Sequence, residues 1–379
     1  MDKRMIRFHD LNVDIVEKAT DDIRKHIERI ILGTPGGILY RQVGAVKKLN
    51  DVGRVFFMTL KKGTRLLGMV GFVHRLVNNG DRRFISLNIR YFSIFAPLRL
   101  KTKKAKISRK EKTGSKEAPL LKQSFMKRKL IDIFDKMPDL VKQGSNKKLK
   151  LISVAYVAKE NIRSMDFSSL MGYQTVREFI TFEFSRFFPK QSKLVSRILP
   201  EEKIDLKRKL KLLYKDHTLY FPDYVFYKDQ YFILKKDGEI LAGVQANPVE
   251  WEVLEMPGKT GELIMKVIPW IPFVSSIFRP DSFKFAAFEA VWYKKGNEKL
   301  LPVLFESACA MLKVNVGLAW FDSESPVLRD IKGAGKLGLL GKMIGSQPAD
   351  VRFRFYDFSE EEKQDFYNKP AYISSFDVT

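Results

Sequence analysis

The sequence is poor in the side chains that build metal sites and disulfide frameworks. Its 379 residues include one cysteine, Cys309, and four histidines, His9, His26, His74 and His217. A single cysteine excludes an intramolecular disulfide, and histidines this far apart lack the spacing of a metal-ligand set. We therefore expect no bound metal.

Long apolar runs are also missing. No stretch approaches the roughly 18 apolar residues that a transmembrane helix needs. Charged residues run through residues 1–10, where a signal peptide would need an apolar segment. The sequence therefore predicts no transmembrane segment and a cytoplasmic protein.

Acidic residues are scarce relative to basic ones, with 44 Asp and Glu against 68 Lys and Arg, for a formal net charge of +24. Many of the basic residues lie within residues 99–129. This charge favours a negatively charged partner, such as nucleic acid, an anionic membrane surface, an acidic carrier protein or a phosphate-rich cofactor. A solvated loop without a partner is the alternative explanation.

Hydrophobic residues, in contrast, make up 45% of the chain, which is ample for packed cores. The length exceeds that of one typical domain and favours two. In the first half, apolar residues at helical spacing predict a helix over residues 13–30, followed by a loop at 33–37. Alternating patterns then predict strands at 55–60, 66–75 and 84–95, and a helix at 120–134.

The segment 151–184 combines a strand, a helix and a second strand. Residues 151–157 are apolar, Asn161 can cap the helix that follows, and Gly172 can end that helix in a left-handed conformation. The second half repeats this order weakly. The segment LKKDGEILAGV echoes LKKGTRLLGMV of the first half, and Ala319-Trp320 falls where Ala155-Tyr156 falls. We therefore predict a duplication, with one domain at 1–190, carrying a basic insertion at 99–118, and a diverged one at 200–379.

The spacing of Asn161, Ser164, Phe167, Ser168 and Gly172-Tyr173 resembles the GCN5-related N-acetyltransferase (GNAT) superfamily. The resemblance covers about thirty residues. It implies an α/β fold with a mixed sheet, built from two tandem GNAT-like domains of which the second is degenerate. It also implies a CoA-dependent N-acyltransferase that moves an acetyl or longer acyl group to an amine acceptor. The alternative is a catalytically inactive binding protein of the same fold that uses its basic surface.

In the family, acetyl-CoA or acyl-CoA lies between two central parallel strands, which here would be residues 90–95 and 151–157. The resemblance therefore assigns cofactor contacts to Phe92, Ile94 and Asn161. The family's short glycine-rich phosphate loop is replaced by a lysine-rich stretch. In this stretch, the candidate residues for contact with the cofactor phosphates are Lys112, Gly114, Ser115 and Lys116.

In the family, a tyrosine acts as the general acid that protonates the leaving thiolate. Ser168 stands at the position of that tyrosine in this sequence. Tyr156 and Tyr173 are the candidate substitutes, each with packing as its plainer explanation. A second motif, residues 333–338, spells G-x-G-x-x-G, but it does not join a strand to a helix in a βαβ unit. We interpret it as a glycine-rich loop.

Overall fold

The computed structural model describes residues 4–8, 11–49, 51–94, 125–141, 148–341 and 348–379. Its strands form one mixed sheet, and helices pack on the faces of that sheet. The α/β class with a mixed sheet is therefore confirmed.

The first half supplies these elements in chain order: β1 (Arg4–Phe8), β2 (Leu11–Val16), α1 (Asp21–Ile27), β3 (Leu32–Gly33), β4 (Leu39–Gln42), α2 (Ala45–Leu49), β5 (Arg54–Lys62), β6 (Arg65–Asn79), β7 (Arg82–Ile94), α3 (Phe125–Asp135), α4 (Met137–Val141), β8 (Leu151–Ala158), α5 (Ile162–Leu170) and β9 (Gln174–Ser185).

The second half continues with β10 (Val195–Arg197), α6 (Lys203–Leu213), β11 (Tyr231–Lys236), β12 (Glu239–Glu255), α7 (Gly258–Val267), β13 (Phe283–Tyr293), α8 (Leu301–Leu312), β14 (Val316–Asp322), α9 (Pro326–Gly333), β15 (Ala349–Tyr356), α10 (Glu360–Asn368) and α11 (Ser375–Val378).

The two halves share an unusual backbone detail. In each, a long antiparallel pair, β6–β7 or β12–β13, shifts register by a β-bulge. The bulged strand carries a non-glycine residue at positive φ, Tyr91 at 52° and Ala290 at 48°. A glycine stands opposite each bulge, because a Cβ on Gly71 would crowd the Phe57 ring and one on Gly243 would clash with Tyr231. The same irregularity in both halves indicates a duplication.

The halves exchange their last strands. The sheet runs β1-β2-β5-β6-β7-β8-β15-β9-β14-β13-β12-β11-β10. Strand β15 of the second half lies between β8 and β9 of the first, while β9 lies between β15 and β14 of the second. Phe182 and Phe184 of β9 accordingly pack on Phe305 of α8, with ring centroids 5.8 Å apart in each pair. Each half therefore completes the sheet of the other.

The predicted helix over residues 13–30 is wrong in its first part. Residues Leu11–Val16 form a strand that pairs with β5, and helix α1 begins only at Asp21. Val13, Ile15 and Val16 are β-branched, and β-branched residues favour a strand when a neighbouring strand is available for pairing. The predicted loop at 33–37 is the turn of the β3–β4 hairpin, which crosses over to pair with β12 of the second half.

Candidate functional site

A deep cavity opens where two central parallel strands separate. Strands β7 and β8 pair over residues 85–88 and 151–154 and do not pair beyond them in the described structure. Past this point, residues 89–92 and 155–158 face each other across a groove of about 370 Å³. The outer edge of β7 is bonded to β6 and that of β8 to β15, so the edges facing the groove can bind an extended, amide-bearing molecule.

The groove has mostly apolar walls. Helix α5 supplies Phe167, the residue that follows the helix supplies Met171, and α3 supplies Phe134. The half-exposed ring of Phe92 lies 4.8 Å from that of Phe167. The β3–β4 hairpin covers another side with its residues Leu32, Gly33, Thr34, Ile38 and Tyr40.

The equivalent gap in the second half is filled. Strands β13 and β14 also pair in parallel for a short distance, over Ala286–Ala287 and Gly317–Leu318. Phe288 packs so closely over Gly317 that a Cβ there would come within 2.0 Å of the ring. Tyr214, His217 and Tyr372 occupy the rest and leave a cavity of about 10 Å³. Of these two gaps, the one in the first half is open to a ligand.

A buried polar network closes the groove floor. Asp377 accepts from Arg75 Nη1 and from Asn88 Nδ2, each at 2.5 Å through Oδ2, while its Oδ1 has no partner in the described structure. Arg90 donates to the backbone oxygens of Phe376 and Thr379. Asp377 is among the residues that line the groove, and its unpartnered oxygen is buried beneath it.

Glu289 anchors the segment that leads into this floor. Its carboxylate accepts from the hydroxyls of Tyr372, Ser374 and Ser375, at 3.1, 2.8 and 2.7 Å. Burial raises the pKa of Glu289, while the serine hydroxyls and Arg75 oppose that rise. The hydrogen bonds hold residues 372–375 against β13 and thereby position Asp377.

Tyr156 is the one predicted catalytic residue with a side chain on this floor. It follows the last residues of β8 that pair with β7, lines the groove, and has its ring 5.2 Å from that of Phe179. Burial, reinforced by the negative charge of Asp377, raises its pKa well above the ordinary value, although Arg75 opposes the shift. The phenol therefore stays neutral and can donate a hydrogen bond.

The other two predicted catalytic residues have their hydroxyls engaged. Ser168 donates to the carbonyl oxygens of Ser164, at 2.7 Å, and Met165, at 3.0 Å, within its own helix. Tyr173 lies 2.5 Å from Ser153 through its hydroxyl and is buried, which raises its pKa. Both line the groove, and their catalytic roles stay predictions.

The predicted cofactor contacts divide into three groups. Phe92 lines the groove, and so does Asn161, whose Oδ1 accepts from Ser164 N at 3.0 Å and caps α5 as expected. Ile94 ends β7. Lys112, Gly114, Ser115 and Lys116, with the rest of the basic insertion at 99–118, lie outside the described residues.

Four residues of the groove floor are not among the residues predicted from sequence: Arg75, Asn88, Arg90 and Asp377. The three strand residues were visible as polar side chains in apolar strands. Asp377 lies 302 residues from Arg75, so no local pattern could join them.

Among the described residues, no group of three or more His, Cys, Asp or Glu side chains is placed to hold a metal ion. No helix in the described ranges has the length and apolar character needed to cross a membrane.

Comparison with known proteins gives structural matches alone. No protein-family model matches the sequence, and no curated protein matches it. The structure is similar to Saccharomyces cerevisiae N-myristoyltransferase with bound myristoyl-CoA, at a TM-score of 0.51 and 9% identity, over 99% of this chain and 91% of that chain. A structure of the yeast enzyme with bound myristoyl-CoA and inhibitors gives 0.50 and 7% identity, over 97% and 87%.

A GCN5-related N-acetyltransferase from Anabaena variabilis also matches, at a TM-score of 0.44 and 8% identity, over 90% of this chain and 72% of that chain. N-myristoyltransferase shares the GNAT fold and has two tandem GNAT-like domains. At such identities a structural likeness speaks for the fold. The chain therefore has the GNAT fold in its tandem form, as the segment 151–184 and the weak repeat in the second half predict.

Proposed function

We propose that this protein is an acyl-CoA N-acyltransferase whose first half binds the thioester and whose second half helps to shape the acceptor site. The observation that carries the proposal is the contrast between the two gaps, about 370 Å³ in the first half and about 10 Å³ in the second. The pantetheine arm of CoA carries two amides on an extended chain. It therefore suits a groove with strand edges on both sides and apolar walls.

Two groove residues suit the chemistry of acyl transfer. The amine nitrogen attacks the thioester carbonyl carbon, the C–S bond breaks, and the amine proton must leave. Asp377 Oδ1 has no partner in the described structure and is our candidate for taking that proton. Tyr156 is our candidate for a hydrogen bond to the departing sulfur, because its raised pKa keeps the phenol neutral.

The transferred group is an acetyl or a longer acyl group, and the acceptor is an amine. The yeast neighbours hold myristoyl-CoA, which supports an acyl-CoA as the donor. The basic insertion at 99–118 would contribute Lys112, Gly114, Ser115 and Lys116 to the cofactor phosphates.

The test is whether acetyl-CoA and myristoyl-CoA bind to the protein. Calorimetry and thermal unfolding measure the binding. Ligand at about 100 times its dissociation constant adds about 2.7 kcal/mol to the free energy of unfolding, which raises Tm by several degrees. Ala158→Trp places an indole in the groove and should abolish the shift. Ala310→Trp, at a partly exposed position of α8, is the matched control and should keep it.

Failure of both thioesters to bind the unaltered chain would leave the alternative, a GNAT-fold protein that binds through its basic surface. In that case deletion of residues 101–116 should remove binding to nucleic acid, anionic lipid or an acidic carrier protein. The affinity should then fall steeply with salt.

A further inference from the structure

A second, smaller cavity lies beside the groove and contains a carboxyl group that has no ion-pair partner in the described structure. It measures about 90 Å³ and lies between β9, β12, β13 and β14. That volume is far below the roughly 300–1,000 Å³ of sites for drug-sized ligands, so it admits a group of few heavy atoms. Ile38 of the β3–β4 hairpin borders this cavity and the groove alike.

Four of its eleven lining residues are aromatic. Trp251 and Trp320 have ring centroids 6.4 Å apart and an interplanar angle of 39°. Phe278 and Phe283 add two more rings, with centroids 5.2 Å apart. The faces of such rings attract cations, most strongly when water is excluded.

Glu183 supplies the one acidic side chain among the lining residues. It has no ion-pair partner in the described structure, and the hydrogen bond that its carboxylate accepts comes from its own backbone N–H. Burial raises its pKa to about 7, and Lys332 at the end of α9 opposes that rise from beyond ion-pair distance. The indole N–H of Trp251 is also buried without a partner. A carboxylate in an aromatic wall therefore lacks its counter-ion.

We propose that this cavity binds an organic ammonium group, with Glu183 as its counter-ion and Trp251 and Trp320 as its walls. A divalent metal is excluded by the ligand set, because hard cations need several oxygen ligands and the wall offers mainly carbon. An anion is excluded by the sign of Glu183.

The shared border at Ile38 connects this site to acyl transfer, and this step rests on the proposed function. A ligand that spans both cavities would present one amine to the thioester and a second cation to Glu183. The acceptor class is therefore a diamine or a basic peptide, not a monoamine.

The experiment uses the full chain without acyl-CoA, so it is independent of the transfer reaction. Tetramethylammonium chloride and cadaverine are titrated into the Trp270→Phe variant, and tryptophan fluorescence is recorded. This substitution removes an indole that is 85% exposed and so reduces the emission from tryptophan outside the cavity. Saturable changes in tryptophan emission are expected with both cations, and none with sodium chloride or tert-butanol. Glu183→Gln should weaken binding at least tenfold.

Glu252→Gln is the matched control, because Glu252 lies between Trp251 and Val253 on β12 but points to the other face and pairs with Arg41 at 3.0 Å. It should bind like the parent. With a carboxyl pKa of about 7, affinity should rise about tenfold from pH 6 to pH 8 in the parent and stay level in Glu183→Gln.

Equal affinity of the parent and Glu183→Gln, or no saturable binding at pH 8, would overturn the proposal. Circular dichroism confirms that the variants fold. If cadaverine binds and acyl-CoA does not, the ammonium site stands and the transfer function falls. If acyl-CoA binds and neither cation does, the transfer function stands and the ammonium site falls.

Discussion

Arg75 and Asp377 form an ion pair at 2.5 Å although 302 residues separate them, and each side chain is 2% exposed. The pair joins strand β6 of the first half to the last helix of the second. The Arg75 guanidinium also stacks 4.2 Å from the centroid of the Phe221 ring. Two halves related by duplication are thus joined at the floor of the groove.

Loss of one partner of this pair should be costly. Asp377→Asn leaves the Arg75 guanidinium buried without a counter-ion, so we expect the free energy of unfolding to fall by about 3–5 kcal/mol. Urea unfolding measures it. Arg41→Met, which breaks the half-exposed Arg41–Glu252 pair, is the control and should cost less than about 1 kcal/mol. Equal losses in the two variants would contradict the structural role assigned to Asp377.

The three predicted catalytic residues can be separated by conservative substitutions. Tyr156→Phe should lower the rate of CoA release at least about a hundredfold, because it removes the hydrogen bond offered to the departing sulfur. The release is measured with a thiol reagent, with acetyl-CoA or myristoyl-CoA as donor and cadaverine as probe amine. A rate within threefold of the parent would exclude Tyr156 from the reaction.

Ser168→Ala and Tyr173→Phe serve as the comparison for Tyr156. The Ser168 hydroxyl bonds within its own helix, so its loss should leave the rate unchanged. The Tyr173 hydroxyl bonds to Ser153, so its loss should lower the free energy of unfolding by about 1 kcal/mol with little effect on the rate. A hundredfold lower rate in Ser168→Ala would restore the family assignment at that position.

His217 should make the protein sensitive to mild acid. Burial lowers its pKa to about 4, although Asp322 and Asp216 oppose the shift. From pH 6.5 down to 4 the unfolded chain takes up a proton that the folded chain does not, so stability is full above pH 6.5 and falls by about 3 kcal/mol toward pH 4. Urea unfolding at several pH values should show this loss reduced in His217→Gln. An unchanged profile would assign the acid sensitivity to other groups.

The exchanged strands predict that the halves depend on each other. The predicted domains 1–190 and 200–379, expressed separately, should not unfold cooperatively, because β9 and β15 each lose the partners on both sides. Coexpression should restore one cooperative transition. As a control, proteolytic cleavage at an engineered site near the exposed Gln191 should leave the folded halves together. Cooperative unfolding of 1–190 alone would contradict the exchange.

Local patterns predicted the strands and helices of the core well. The hairpins around residues 61–64 and 235–238, the strand at 151–157, the cap at Asn161 and the stop at Gly172 all appear as expected. These features depend on neighbours in sequence, on side-chain alternation and on the few residues that tolerate a left-handed backbone.

What the sequence could not show depends on distant pairing. Residues 13–16 alternate as well as recur at helical spacing, and only the presence of β5 favours the strand. From the sequence, the loop at 33–37 is interpreted as a linker. Strand β4, which follows this loop, pairs with β12 more than two hundred residues away. Likewise, no local sequence pattern indicates that Asp377 contacts Arg75 and Asn88. The polar network of the groove floor therefore could not be predicted from the sequence.

The exchange of β9 and β15 also determines when the sheet of the first half can be completed during synthesis on the ribosome. Strand β9 ends at Ser185, and its partner β15 begins at Ala349. At about 5–20 residues per second, that interval lasts on the order of ten to thirty seconds. Throughout it, the facing edges of β8 and β9 lack the strand that joins them. The nascent first half therefore needs protection from strand addition by other chains until nearly the whole protein has been made.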